Sequence, residues 1–138
     1  MPTTGLFDLS DRVAVVTGGN GGIGRAMALG LAGVAIAFLA RNEEKNQRVM
    51  DELRAIGVAG LAVKVDISAR AELQPALEKV EETLGPVSIL VNNAGITVPG
   101  GVLDQTPEDW GWRSSWRRSI SRLMQLPLDG LIQTYWRR

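Results

Sequence analysis

Thr17-Gly18-Gly19-Asn20-Gly21-Gly22-Ile23-Gly24 is the stretch whose reading decides the fold. It follows Arg12-Val13-Ala14-Val15-Val16-Thr17, a short β-branched apolar run of the kind that forms a strand buried on both faces. Behind it, Arg25 to Ala32 reads as a helix with apolar Met27, Leu29 and Leu31. Glycines between a buried strand and a helix let an anionic group approach the free N–H groups of the helix start, where a Cβ would stand in the way. Gly18 suits the tight turn, Gly22 the close approach, and Gly24 close helix–strand packing. An ordinary glycine-rich turn is the plainer alternative. A Walker phosphate loop fits poorly. Gly19 and Gly24 have its spacing, but Arg25-Ala26 stand where a Lys and a Ser or Thr are needed.

Working outward, the same alternation continues. Val34 to Ala40 predicts a second buried strand. Asn42 is placed to cap a helix, with Glu43 and Glu44 in its first turn and Val49, Leu53 and Ile56 at helical spacing up to Gly57. Leu61 to Val65 predicts a third strand, and Asp66-Ile67-Ser68 leads into another helix. Pro75 is expected in the first turn of that helix, where a missing N–H is harmless, and Leu73, Ala76, Leu77, Val80 and Leu84 form its apolar stripe. Gly85-Pro86 breaks it, and Val87 to Val91 predicts a fourth strand closed by Asn92-Asn93-Ala94-Gly95. The fold class is therefore α/β, a doubly wound parallel sheet of the Rossmann type, incomplete at four strands with flanking helices.

The Thr-Gly-x-x-x-Gly-Ile-Gly form of the loop, Asp66 after strand 3 and Asn92-Asn93-Ala94-Gly95 after strand 4 resemble the short-chain dehydrogenase/reductase family over roughly residues 6–110. Within it the chain looks like the sugar-acid dehydrogenase and 3-oxoacyl reductase branch. The resemblance implies strand order 3-2-1-4, with a nicotinamide dinucleotide bound at the switch point between strands 1 and 4. It implies that Asn20, Ile23 and Gly24 line the phosphates and the nicotinamide side. Asp66 would bond the adenine amino group with Ile67 beside the ring, and Asn92, Ala94 and Gly95 would pack along the adenosine ribose. A charge at a helix start is the alternative for Asp66, and tying strand 4 to its neighbours is the alternative for the asparagines. Arg41 ends strand 2, where an acid would suit the ribose hydroxyls of NAD. An arginine there suits a 2′-phosphate, so NADP is expected, with NAD as the alternative. The competing role for Arg41 is a surface pair with Glu43 or Glu44.

Two departures from the family stand out. The stretch between Gly24 and Arg41 is about two residues short, at Ala32–Gly33, which would remove about 3 Å of helix and shift or strain strand 2. The family's catalytic Asn, Ser and Tyr-x-x-x-Lys are absent as well: the single tyrosine, Tyr135, is followed by Trp136-Arg137-Arg138, and no lysine follows Lys79. No catalytic residue is assigned.

Composition bounds the rest. The 138 residues are 45% hydrophobic and 22% charged, with no Cys and no His, which removes disulfides, thiolate chemistry, the usual zinc sets and any Ser-His-Asp mechanism. No metal is expected, no apolar run is long enough for a membrane span, no export signal is evident, and a cytoplasmic location follows by default. The division expected is a cofactor-binding half-domain over 1–110 and an aberrant tail over 111–138. Thr106-Pro107-Glu108-Asp109 announces one more helix, after which the character changes: the tail has six arginines against Asp129 and contains no Ala, Val, Glu, Lys or Asn. It reads as translation in a shifted frame. A basic, Trp-bearing segment binding RNA or an anionic membrane is the rival reading. An unpartnered fourth strand predicts self-association and loss of the family's oligomer interface. The functional expectation is an oxidoreductase fragment that binds cofactor and is inactive alone. The alternative is a non-catalytic dinucleotide-binding module.

Overall fold

A computed structural model of the chain describes residues 8–31 and 33–95. Strands and helices alternate along it: β1 (Val13–Thr17), α1 (Gly22–Gly30), β2 (Ala35–Ala40), α2 (Glu43–Ala55), β3 (Gly60–Lys64), α3 (Arg70–Leu84) and β4 (Ile89–Val91). All pairings are parallel and the order is β3-β2-β1-β4. The chain thus turns back on itself between β1 and β4, and the open ends of those strands face the glycine loop. The expected helix at Thr106 and the tail 111–138 lie outside the described residues.

The continuous apolar runs of β1 and β2 are explained by helices on both faces. Val13 and Val15 of β1, with Ala37 and Leu39 of β2, pack with Ala76, Leu77 and Val80 of α3. Their neighbours Ala14, Val16, Ile36 and Phe38 point the other way, onto Ala28 of α1 and Val49 and Leu53 of α2. Ile36 and Phe38 are fully buried, and each side chain of that size stabilises by about 1.5–3 kcal/mol. Asn42 caps α2 as expected, its side chain accepting from the Lys45 N–H at 2.9 Å.

Three local expectations are corrected. Helix α1 starts at Gly22, three residues ahead of Arg25, with Gly22 at a φ of 49° opening it and Gly24 inside it. The poor helix propensity of Gly24 is offset by the packing of Ala28 against the sheet. Strand β2 is neither shifted nor irregular: it pairs with β1 residue for residue from Val13↔Ala35 to Thr17↔Leu39. A slip of one position would swap Phe38 and Leu39 between faces, so the register holds and the turn before it adapts. There the Val34 N–H donates to the Leu31 carbonyl at 3.1 Å and Gly33 takes a φ of 102°. Pro75 lies inside α3 and not in its first turn. The cause is a turn at Asp66: its Oδ1 accepts from both the N–H and the hydroxyl of Ser68, and its carbonyl accepts from the Ala69 N–H. The helix therefore starts a turn earlier than Pro75 alone suggests. Pro75 and Ala71 both sit on the exposed side, where water can serve the carbonyl that proline leaves without a donor.

Candidate functional site

Thr17 ends β1 and organises the loops beyond it. Its side chain is 2% exposed, and its Oγ1 accepts from the N–H groups of Asn93 and Ala94, each at 3.0 Å. Asn93 returns the contact, its Nδ2 donating to the carbonyls of Thr17 at 3.2 Å and Gly18 at 3.3 Å. The loop after β4 is thereby sewn to the loop after β1. Asn93 takes the tying role that the sequence left open for the asparagine pair. Oδ1 of Asn92 is buried and has no hydrogen-bond partner among the described residues.

Each glycine of the loop answers to a different constraint. Gly18 has a φ of 64°, and a Cβ there would also press on the Cα of Ala94 at 3.0 Å. At Gly19 a Cβ would stand 2.6 Å from the Cβ of Phe38. A Cβ at Gly24 would collide with the Asn93 amide and the Gly18 carbonyl, so this glycine admits the two loops rather than helix–strand packing. Gly21 and Gly22 differ from these: a Cβ at either meets nothing within 4 Å. Gly21 is also the N-cap of α1, with no side chain bonding the helix start and no acid in the first turn. The first N–H groups of α1 thus lack side-chain partners, beside open space.

That space belongs to a cavity of about 710 Å³. Gly18, Asn20, Gly21 and Gly22 form one wall, Arg41, Asn42 and Lys45 a second, Asp66, Ile67 and Ser68 a third, and Asn93, Ala94 and Gly95 a fourth. Of the residues singled out in the sequence, Gly18, Asn20, Gly22, Arg41, Asp66, Ile67, Ala94 and Gly95 meet here. Ile23, Gly24 and Asn92 do not line the cavity. Ile23 is 70% exposed on α1, whereas Gly24 is buried against the loop.

The electrostatics of the second wall follow from which acids are already engaged. Glu43 pairs with Lys64 of β3 at 2.9 Å and Glu44 with Arg48 at 2.8 Å. Glu43 and Glu44 are therefore engaged elsewhere, and among the described residues neither Arg41 nor Lys45 is in an ion pair. Asp66 is not a helix-start charge but the centre of the turn before α3. Hydrogen bonds from the hydroxyl and N–H of Ser68 hold its carboxyl below the usual carboxylate range, and the charge of Arg41 adds a smaller push in the same direction.

Both the sequence and the fold have counterparts among known proteins. A family model described as short chain dehydrogenase matches residues 12–126. The chain belongs to this family. A short chain dehydrogenase of Pseudocercospora fijiensis is 43% identical over 103 residues, covering 73% of this chain and 33% of the relative. A 3-oxoacyl-(acyl-carrier-protein) reductase of Pseudomonas aeruginosa is 32% identical over 135 residues, covering 96% of this chain and 55% of the relative. Among solved structures, L-sorbose reductase from Gluconobacter frateurii, complexed with NADPH and L-sorbose, superposes with a TM-score of 0.73 at 31% identity, over 84% of this chain and 46% of that one. The chain therefore spans between a third and just over half of the length of these relatives.

Three residues that shape this site escaped the sequence reading. Lys45 had a signal, since a cation three residues after a helix cap returns to the side of the preceding loop. The contacts of Gly19 and Asn46 had none, because their partners lie elsewhere in the chain. No helix among the described residues is long and apolar enough to cross a membrane, and no cluster of His, Cys, Asp or Glu among them could hold a metal ion.

Proposed function

We propose that the cavity binds a nicotinamide dinucleotide, with NADP(H) preferred over NAD(H), and that these residues form the cofactor-binding unit of an oxidoreductase. The observation that carries the proposal is the pairing of an open helix start at Gly21 and Gly22 with two cations, Arg41 and Lys45, that are in no ion pair among the described residues. A pyrophosphate needs the first; a ribose 2′-phosphate needs the second. The cavity, at about 710 Å³, is in the range of small-molecule sites.

The residues divide the work by their chemistry. Gly21, Gly22 and the N–H groups of α1 would hold the pyrophosphate, with Gly18 and Gly24 keeping the loop low enough for it to approach. Arg41, with Lys45 beside it, would hold the 2′-phosphate as a charge-assisted contact. Asp66 accepts hydrogen bonds and is ionised at neutral pH, which suits the amino group of adenine, and Ile67 offers the ring an apolar face. Ala94 and Gly95 are small and leave room for the ribose. Ile23, standing exposed at the start of α1, would face the nicotinamide side, and Asn92 would support the ribose wall from behind it. The cofactor supplies the hydride, and the reaction proposed for the family member is reversible transfer between NADP(H) and a carbonyl or secondary alcohol.

Calorimetric titration with NADPH and NADH tests the proposal. NADPH is expected to bind at least about tenfold more tightly, the difference made by one charge-assisted contact of about 1.5–3 kcal/mol. The variant Arg41→Ala should bring the two affinities together. Equal affinities in the unaltered chain, or a preference for NADH, would overturn the NADP assignment. Absence of binding to either would overturn the whole reading.

A further inference from the structure

The side chain of Asn20 does not point at the open helix start. Its Nδ2 donates to Oδ1 of Asn46 at 2.7 Å and to the carbonyl of Asn42 at 3.3 Å. Asn46 lies on α2 immediately after Lys45 and is 5% exposed, on the face that also carries Val49 and Leu53. An amide buried on such a face is costly unless hydrogen-bonded, and an apolar side chain would suit the position. Asn46 spends its donor on the carbonyl of Ala40, at 3.3 Å.

The two carbonyls held by this pair, those of Ala40 and Asn42, lie on either side of Arg41. Its backbone is thus held from both flanks by two amides, and the same amides tie the glycine loop to that corner. A guanidinium recognises a phosphate through fixed, planar, paired N–H groups, so its strength depends on where its Cα sits. We propose that Asn46, acting through Asn20, is a positioning residue that sets the choice between NADPH and NADH. It does so by fixing Arg41 at a set distance from the phosphate-holding loop. The inference rests on the dinucleotide reading above. NADH lacks the 2′-phosphate and makes no demand on Arg41, so the pair should matter for one cofactor and little for the other.

The test uses the full chain, with Asn46→Leu and Asn20→Ala measured by titration with each dinucleotide and by amide hydrogen exchange without any. Asn46→Leu fills the buried face with an apolar group, and Asn20→Ala alters a loop residue, so a failure to fold in one leaves the other. For Asn46→Leu, NADPH affinity should fall by about fivefold, the worth of one hydrogen bond, while NADH affinity changes by less than about twofold. Exchange should quicken in residues 18–22 and 40–46 and not in β1. Adding Asn46→Leu to Arg41→Ala should bring little further loss of NADPH affinity, because both act on one contact. Equal weakening of both dinucleotides, unchanged exchange at 40–46, or losses that add in full would each overturn the proposal. If Arg41→Ala leaves the NADPH-to-NADH ratio untouched, the assignment of the 2′-phosphate to Arg41 fails and this proposal falls with it, while binding of either dinucleotide keeps the cofactor reading. Quickened exchange at 40–46 would then still show that the pair holds the corner.

Discussion

Two glycines of one loop should respond to alanine in opposite ways. At Gly19 the added Cβ would stand 2.6 Å from the Cβ of Phe38 and 3.3 Å from that of Val16. Carbon atoms rest at about 3.5–4.0 Å, so the loop and β2 must part by roughly 1 Å. Phe38 cannot give easily: it is fully buried, the contact is to its Cβ and not to a flexible tip, and its strand is paired on both sides. Overpacking of this kind costs about 1–3 kcal/mol. For a unit of this size each kcal/mol lowers Tm by about 4–8 °C, so Gly19→Ala should melt roughly 5–20 °C early. Gly21→Ala differs in every respect. Its φ of −169° is extended backbone that any residue adopts, and its Cβ would meet nothing within 4 Å. Tm should stay within a few degrees, while the methyl group hinders approach to the N–H groups of α1. Loss of one charge-assisted bond there would weaken dinucleotide binding by about tenfold or more. Melting by circular dichroism and titration with NADPH read both variants. A Gly19→Ala chain that melts with the parent would refute the packing argument. A Gly21→Ala chain that binds normally would refute the placement of the phosphates.

Three further outcomes are expected. Thr17→Val keeps the shape but removes the acceptor shared by the Asn93 and Ala94 N–H groups; it should cost about 1–3 kcal/mol by urea unfolding, and a loss below about 0.5 kcal/mol would mean that the two loops are held by other contacts. Asn42→Ala removes the cap on the Lys45 N–H and should cost about 1 kcal/mol, with faster exchange confined to the first turn of α2. Asp66 has its carboxyl held below the usual value of 3.8, so the stability it contributes is present above about pH 4 and is lost as pH falls through the depressed folded-state value. Because the group is only partly buried and solvent screens it, Asp66→Asn should cost less than about 1 kcal/mol at pH 7, and the gap to the parent in urea midpoint should close below pH 3. A gap that does not change with pH would contradict the Ser68 bonds as its source.

Much of this architecture follows from local pattern. The β-branched runs of β1 and β2, the helical spacing of Leu73, Ala76, Leu77 and Val80, and the cap at Asn42 are each legible within about ten residues. Alternation of buried strands with helices then leaves a parallel sheet as the way to bury both faces. Gly18 was legible too, because the tight turn out of β1 requires a residue that tolerates positive φ. Pro75 was misplaced by the same local logic, since its position depended on the Asp66–Ser68 turn fixing where α3 begins.

The sequence by itself determined the sheet, its strand types and the loop around which the site forms. Only the tertiary structure decided what each loop residue does. Gly19 matters because Phe38 lies across the sheet from it, Gly24 because Asn93 arrives from the far end of β4, and Asn20 because Asn46 waits on α2. Glu43, next but one to Arg41 in the chain, is held instead by Lys64 on β3. Periodicity records which side of an element is buried, and nothing in it names the residue met there. That pairing appears only when segments distant in the chain are brought within a few ångströms by the register of the sheet.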